Sequence, residues 1–484
     1  MRAENRRVIY NDDSDQQYQG YEGYGYQIET EQDFIDSRTT PTFNTHVDTY
    51  VWCVGNGADP PWGSDYDKWW PCLGSPERAS DLIVKACHEK GMEVWASLRM
   101  NDIHDSFRAK TLAEATDPLK AQHPEYLIGR QEDRSLPEPL TERYLWTAFN
   151  YARPEVRQYR LDYIQRNAAR HDFDGYELDF TRFIWDFPLG EEEQHAHLMT
   201  DMIRQIRSIL NDIGEQRGRP YLLVVHALDS LRTSMAMGLD ICQWLEEGLV
   251  DILVPGMGYM PYVVPLDEWL ELGDCYDVSV YPSLNTNTFV GEHLQDQGIP
   301  LINDCIRASA AYYWQEGASG LYIFNLFCQE DKNVASTERD AVYRPLKEIG
   351  EPGLLVGKNK LYMIQPVDDG GFCHHGSEAT PLPIVLGAKE HKLRLPMGPD
   401  ARNSKARVRI RAITTGGSKD ATVWFRLNHR LLTTVRAQDS YEAQAPKNTL
   451  RCGDNELAIW CDTDRNSGNP IVVERVLVPV EYGS

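Results

Sequence analysis

No apolar run in the sequence approaches the ~20 residues that a bilayer-spanning helix needs, so a helical membrane anchor is not expected. Met1 is followed by Arg2, Glu4, Arg6 and Arg7 with no apolar stretch, so no signal peptide is expected. The location implied is the cytoplasm, or the periplasm or exterior for a chain trimmed of its leader. Basic residues are the minority, 49 Lys and Arg against 73 Asp and Glu, and the net charge of −24 has the wrong sign for holding nucleic acid or an anionic membrane. Cysteine is thinly spread: ten residues without a C-x-x-C pair make neither a disulfide scaffold nor a zinc ribbon. Cys452 and Cys461 flank one expected hairpin and are placed to pair if the chain is oxidised, which spacing alone does not decide. A phosphate-cradling G-x-x-x-x-G-K loop and a G-x-S-x-G nucleophile elbow are both missing, which removes nucleotide and serine-hydrolase chemistry. The first expected strand ends Tyr10-Asn11-Asp12-Asp13, without the His-x-His of metal-dependent barrel hydrolases, and His374-His375 is isolated. No cofactor and no catalytic metal are therefore expected.

What the chain does have is 484 residues, 42% of them hydrophobic and 10% aromatic, enough to bury a large core and too many for one ordinary domain. Up to about residue 350, short β-branched or aromatic runs alternate with amphipathic helical stretches. Strands are expected at Val8–Asn11, Val47–Val54, Glu93–Leu98, Gly175–Thr181, Leu222–His226, Asp251–Pro255, Val278–Tyr281 and Leu321–Asn325. Eight such βα units close a (β/α)8 TIM barrel, expected over 1–352. Between them, Ser75-Pro76-Glu77 reads as an N-cap, a first-turn proline and an acid, with Gly91 at the stop. Leu198, Met199, Met202, Ile203, Ile206, Ile209 and Leu210 recur at helical spacing, as do Val156, Tyr159, Tyr163 and Ile164. Beyond Gly353 the helical period gives way to alternating strands such as Ala406–Ala412, Thr422–Leu427 and Glu456–Cys461. That pattern predicts a jelly-roll-like β-sandwich over 353–484, with a tight Gly453-Asp454-Asn455 turn leading into its later strand. The module either packs on the barrel or binds sugar directly.

Barrel chemistry sits at the carboxyl ends of the strands. In Asp174-Gly175-Tyr176-Glu177-Leu178-Asp179-Phe180-Thr181-Arg182-Phe183 the two-residue period puts Gly175, Glu177, Asp179 and Thr181 on one face. If Gly175 faces inward so do both acids, Asp179 nearer the mouth, unless they are a structural pair tied to Arg182 or Arg99. Burying two carboxylates forces their pKa values apart, which suits acid–base or nucleophilic work. Asn101-Asp102-Ile103-His104-Asp105 follows the third strand as a polar cluster with Arg99, binding hydroxyls or a cation, or merely fixing a loop. After the fifth strand stand His226 and Asp229, the latter an acid or an N-cap. With Asn11, Asp12, Trp62, Arg182, Tyr259, Tyr281 and Asn325 these make an expected substrate-binding set. Aromatic loops carrying Tyr18, Tyr21, Tyr24, Trp62, Trp69, Trp70 and Trp185 around an acidic mouth suit carbohydrate, since aromatic faces stack on the C–H faces of sugars and carboxylates bind hydroxyls.

Three segments in order, His123-Pro124-Glu125-Tyr126, then 148–157 from Ala148 to Arg157, then 174–183, resemble the glycosyl-hydrolase-like family ten of (β/α)8 barrels. A weaker match runs through Gly238-Leu239-Asp240 and 247–254, so the likeness covers most of residues 5–350. It implies a glycoside hydrolase fold and assigns the catalytic carboxylate to Asp179, with Glu177 at a variable position. The sixth strand, Val254-Pro255-Gly256-Met257-Gly258-Tyr259, lacks the acid that related glycosidases keep there, so Glu177, Asp229 or Asp102 must substitute. A chitinase-type D-x-x-D-x-D-x-E pattern fails at Thr181. The expected function is hydrolysis of a poly- or oligosaccharide, with Asp179 as nucleophile or base and Glu177 as the leading acid. A non-catalytic carbohydrate-binding barrel and a metal-dependent ester or amide hydrolase are the alternatives. Residues 351–484 hold 18 basic against 15 acidic side chains, leaving 31 against 58 in the barrel, so neutral glycans are the expected class. Arg99, Arg182 and His104 would favour an anionic sugar only if they form a local cationic pocket.

Overall fold

The computed structural model describes residues 6–18, 26–57, 69–138, 140–256, 263–285, 299–329, 339–365, 382–403, 405–417, 421–462 and 469–483. Nine parallel strand segments, β1 (Val8–Asp12), β2 (Val47–Cys53), β3 (Glu93–Arg99), β4 (Gly175–Asp179), β5 (Leu222–Ala227), β6 (Ile252–Pro255), β7 (Ser279–Val280), β8 (Ser283–Asn285) and β9 (Leu321–Phe324), form one sheet. Its order is β7-β6-β5-β4-β3-β2-β1-β9-β8. The two ends of that sheet are successive pieces of one strand, because Pro282 has no N–H to offer a ladder. The Tyr281 amide still donates to Leu253 O (2.9 Å), and Pro282 O accepts from the Tyr322 amide (3.1 Å), so the ring is closed. The seventh expected strand is thus correct in its first half and resumes past the proline, where the sequence pattern stopped it at Tyr281.

The helices between strands follow the expected cap at Ser75 and the expected apolar spacings. Pro76–His88 starts on Ser75, whose side chain accepts from the Arg78 amide, and the chain turns out through Gly91 at φ +73°. Pro154–Arg170 and Glu192–Arg217 bury Val156, Tyr163 and Ile164, and Met199, Met202, Ile203, Ile206 and Leu210. Among the described residues no helix is long and apolar enough to cross a membrane.

The barrel interior is filled by Ile9, Val51, Trp95, Val224, Ile252, Val254, Tyr281, Tyr322 and Phe324. Trp95 pairs in register with Gly175, and a Cβ added at Gly175 would stand 2.8 Å from the Trp95 ring. Glycine here makes room for the indole that forms the floor beneath the acids of β4. Gly175→Ala is expected to cost about 1–3 kcal/mol of stability as an overpacked core position. Chemical denaturation checks this, and an unchanged midpoint would show that the ring moves aside freely. Tyr281 belongs to the same floor: its ring adjoins Gly320 and its phenol the Arg6 guanidinium, at the amino-terminal end of the strands.

Two antiparallel sheets follow, built from β10 (Lys360–Ile364), β11 (Ile384–Val385), β12 (His391–Met397), β13 (Ala406–Thr415), β14 (Val423–Leu427), β15 (Arg430–Leu432), β16 (Val435–Arg436), β17 (Ser440–Gln444), β18 (Gly453–Cys461) and β19 (Val472–Tyr482). One runs β10-β19-β13-β17-β16 with β11 on β19, the other β12-β18-β14-β15. The α/β barrel followed by a β-sandwich is the architecture the sequence implied. The hairpin expected between Cys452 and Cys461 is instead one strand, β18. The eight residue steps of that strand, at ~3.3 Å each, hold the Cys452 and Cys461 thiols far beyond disulfide reach, and neither forms a disulfide. The strand already starts at Gly453, so the expected Gly-Asp-Asn turn is part of it. The Asn455 side chain, accepting from the Arg451 amide (2.8 Å) and donating to Arg451 O (2.9 Å), ties down the bend that precedes it. The sandwich meets the barrel along helix Ile299–Glu316, where Arg394 Nη2 donates to Tyr312 Oη at 2.7 Å.

Candidate functional site

Register fixes the site. Strands β3 and β4 pair Trp95 with Gly175, Ser97 with Glu177 and Arg99 with Asp179, so three inward layers rise from the indole floor to the mouth. In the middle layer Glu177 is fully buried. Ser97 Oγ and Tyr322 Oη both donate to its Oε1, at 2.7 and 3.1 Å, while Oε2 has no hydrogen-bond partner among the described residues. Asn11 adjoins the Tyr322 hydroxyl from β1. Burial, reinforced by the neighbouring Asp179, pushes the Glu177 carboxyl up to about 8, so it carries a proton at neutral pH. The folded state then holds a proton that the unfolded chain releases near pH 4.5, and stability falls as pH rises from there to about 8. Glu177→Gln copies the protonated shape without that penalty. Its thermal midpoint relative to the wild type is expected to improve steadily between pH 5 and pH 9, and a gap independent of pH would place the carboxyl in its ordinary range.

At the mouth, Asp179 Oδ1 accepts from the Thr181 amide (2.8 Å), Thr181 Oγ1 (2.8 Å) and the Arg182 amide (3.2 Å). These donors come from the turn that ends β4, so the carboxylate is oriented by its own chain. His226 on β5 places Nδ1 3.8 Å from the same oxygen. Its Nε2 donates to Gly256 O at 2.7 Å, which fixes the tautomer, and burial lowers its pKa, so the ring is neutral.

Beside Asp179 runs a chain of charges. Arg99 reaches Asp13 (2.9 Å) and Asp102 (2.9 Å); Asp13 also takes Arg182 (3.3 Å) and Asn325 Nδ2 (2.7 Å). Burial alone would raise the Asp13 pKa, but Arg99 and Arg182 outweigh it and hold the carboxyl at about 2. Asp102 is likewise held well below the usual carboxylate range: burial opposes, and His104 and Arg99 prevail. Two arginines against two aspartates leave no net charge in this frame. Cys53, inward on β2, is a neutral thiol here, its pKa pushed up to about 12 by burial although Arg99 opposes.

The expected set divides accordingly. Asp179, Glu177, Asn11, Arg99, Asp102, His104, Arg182, His226 and Asn325 converge on the carboxyl ends of β1, β3, β4, β5 and β9. Asp12 does not join them: it faces the helical layer, held by Arg38 (3.0 Å), the Tyr50 hydroxyl and the Ser14 amide. Asp229 is buried at the start of helix Leu231–Ala236, accepting from Thr233 Oγ1 at 3.0 Å. Tyr281 lies in the floor. Trp62 and Tyr259, with Tyr21, Tyr24 and His374-His375, fall outside the described residues. Sequence reasoning missed Asp13, Ser97, Tyr322 and Cys53. The signal for Asp13 was present, since an inward Asn11 makes the residue two further on inward as well.

Aromatic side chains flank the mouth. Tyr18 and Trp69 pack over Cys53 with ring centroids 4.7 Å apart. On the other side Phe107, 44% exposed, lies 5.1 Å from Tyr144 and 6.4 Å from Phe183 at a shallow angle. Trp185 is buried beneath. Among the described residues no three His, Cys, Asp or Glu side chains are grouped to hold a metal.

No protein-family model matches the chain, and neither does any curated protein. Among solved structures it is similar to an alpha-amylase from Anoxybacillus, at 12% identity over 96% of this chain and 99% of that one, with a TM-score of 0.46. It is also similar to an alpha-amylase from Geobacillus thermoleovorans solved with acarbose (14%, 95% and 99%, 0.44). A GH36 alpha-galactosidase from Geobacillus stearothermophilus gives 10% identity over 95% of this chain and 56% of that one, with a TM-score of 0.39.

Proposed function

We propose that this chain is a glycoside hydrolase acting on a neutral poly- or oligosaccharide, its barrel (1–352) catalytic and its sandwich (353–484) accessory. The observation that carries the reading is Asp179, one carboxylate at the mouth of a closed barrel with an oxygen fixed by three donors from its own turn. So held, it is preorganised to face the positive charge that grows on an anomeric carbon, as nucleophile or as base toward water. Glu177, one layer below and without exposed surface, touches no substrate in this reading and shapes the field under Asp179. Asp13, Asn325, Asn11 and Arg182 supply acceptors and donors for hydroxyls, and the accessible rings of Trp69 and Phe107, backed by buried Tyr18 and Phe183, stack on pyranose rings. Because Arg99 and Arg182 are each matched by a carboxylate, the frame offers an anionic sugar no surplus charge.

A second reading, a carbohydrate-binding barrel that does not cleave, is favoured by one observation: the carboxyl group below Asp179 that keeps a proton at neutral pH has no access to solvent. Reducing-end release from a panel of neutral, sulfated and uronic oligosaccharides, with and without chelator, tests both. Release that ignores chelator supports hydrolysis. Binding of the panel without release supports the second reading, and loss of activity with chelator makes a metal-dependent hydrolase of it.

A further inference from the structure

A group that protonates a leaving oxygen must reach it. In the mouth, Arg99 and Asp102 each expose 5% of their side chains and Glu177 none, whereas His104 exposes 30%. His104 is also the residue whose ring is aimed. Its Nδ1 lies 2.7 Å from Asp102 Oδ1, its backbone amide donates to the same oxygen at 2.9 Å, and its ring stands edge-on to Phe183 at 4.9 Å. The second oxygen of Asp102 is taken by Arg99 at 2.9 Å, so the carboxylate does not rotate away. A carboxylate accepts, hence Nδ1 carries hydrogen toward Asp102, and Nε2, with no hydrogen bond to any described residue, is left for the mouth.

Resting on the glycoside-hydrolase reading, we propose that His104, held by Asp102 as its positioning residue, is the general acid that protonates the glycosidic oxygen opposite Asp179. In the step, the C1–O bond breaks with its electron pair staying on oxygen. The Nε2 proton moves to that oxygen, and the imidazolium becomes neutral imidazole. C1 is captured by an Asp179 oxygen, or by a water whose proton Asp179 takes, so charge and atoms balance. The charged groups facing the ring are Asp102 and Arg99 from β3 and its loop and Arg182 from the turn after β4. Burial lowers the His104 pKa below 6.5, Arg182 and Arg99 push the same way, and Asp102 opposes them. The active, protonated fraction therefore declines as pH rises through a value on the acid side of 6.5.

The test compares natural glycans, whose leaving oxygens need a proton, with dinitrophenyl glycosides, whose leaving groups do not. His104→Ala is expected to lose about 10²-fold or more in kcat/KM on the natural substrate, to stay within a few-fold on the dinitrophenyl glycoside, and to lose the basic limb of the pH profile. Asp102→Asn should reproduce the split in weaker form. Equal losses on both substrates, or no loss on either, overturn the proposal. If Asp179→Asn abolishes turnover while His104→Ala leaves the natural substrate untouched, the hydrolase reading stands and the acid assignment falls. Wild-type protein that releases nothing from either substrate overturns both.

Discussion

Asp179→Asn is expected to lower kcat by ~10³-fold or more with the fold unchanged. The amide oxygen keeps the shape of Oδ1 and still accepts from Thr181 and Arg182, so the β4 turn survives. What disappears is the negative charge opposite the anomeric carbon, and with it either the nucleophile or the base. Steady-state rates on a reactive aryl glycoside, beside a thermal melt, decide the matter. A variant retaining a tenth of wild-type kcat would place the catalytic carboxylate elsewhere, and a collapsed melting curve would show that the turn needs the charge itself.

Arg99→Met should have the largest effect on stability. Arg99 is buried between Asp13 and Asp102, and its removal leaves two carboxylates short of a partner in the interior, at a cost of about 3–5 kcal/mol. Acid sensitivity should change with it. In the wild type the Asp13 carboxyl, held at about 2, adds stability that is complete above its unfolded value near 4 and is lost as pH falls through about 2. Without Arg99 that loss should begin at higher pH. Urea titrations at pH 7, 5 and 3 measure both effects. The double variant Arg99→Met with Asp13→Asn should cost less than the sum of the two singles, and simple additivity would show that the pair is not coupled.

The barrel was readable because each strand carries its own period and the long helices their apolar spacing, signals that stay local in the chain. The inward pair of β4 was readable for the same reason, once the parity of Gly175 was set. Local signals fail where a role depends on a distant partner. Glu177 takes its proton because the folded barrel buries it beside Asp179, and it does so although Ser97 and Tyr322, 80 and 145 residues away, donate hydrogen bonds that favour the charged form. Asp12 and Asp13 are indistinguishable as residue types at a strand end. The pleat sends one toward Arg38 in the helical layer and the other toward Arg99 in the mouth. Tyr281 misled because the pattern stopped at Pro282, making a floor residue look like the end of a strand. At Cys452 and Cys461, alternation alone did not separate one nine-residue strand from two short strands and a turn.

The pairing of β1 with β9 also dictates an order of events when the chain is made. Val8 meets Leu321, 313 positions further along the chain, so the first strand of the ring waits that long for its second neighbour. At ribosomal rates of about 5–20 residues per second, that wait is roughly 15–60 s. During it β1 is a sheet edge, and its residues Val8, Ile9 and Tyr10, fully enclosed in the finished ring, have one flank unclosed. The cylinder cannot close progressively as it leaves the ribosome. It closes in a late step that spans nearly the whole barrel sequence, which makes the nascent form, rather than the finished one, the state most open to edge-to-edge association.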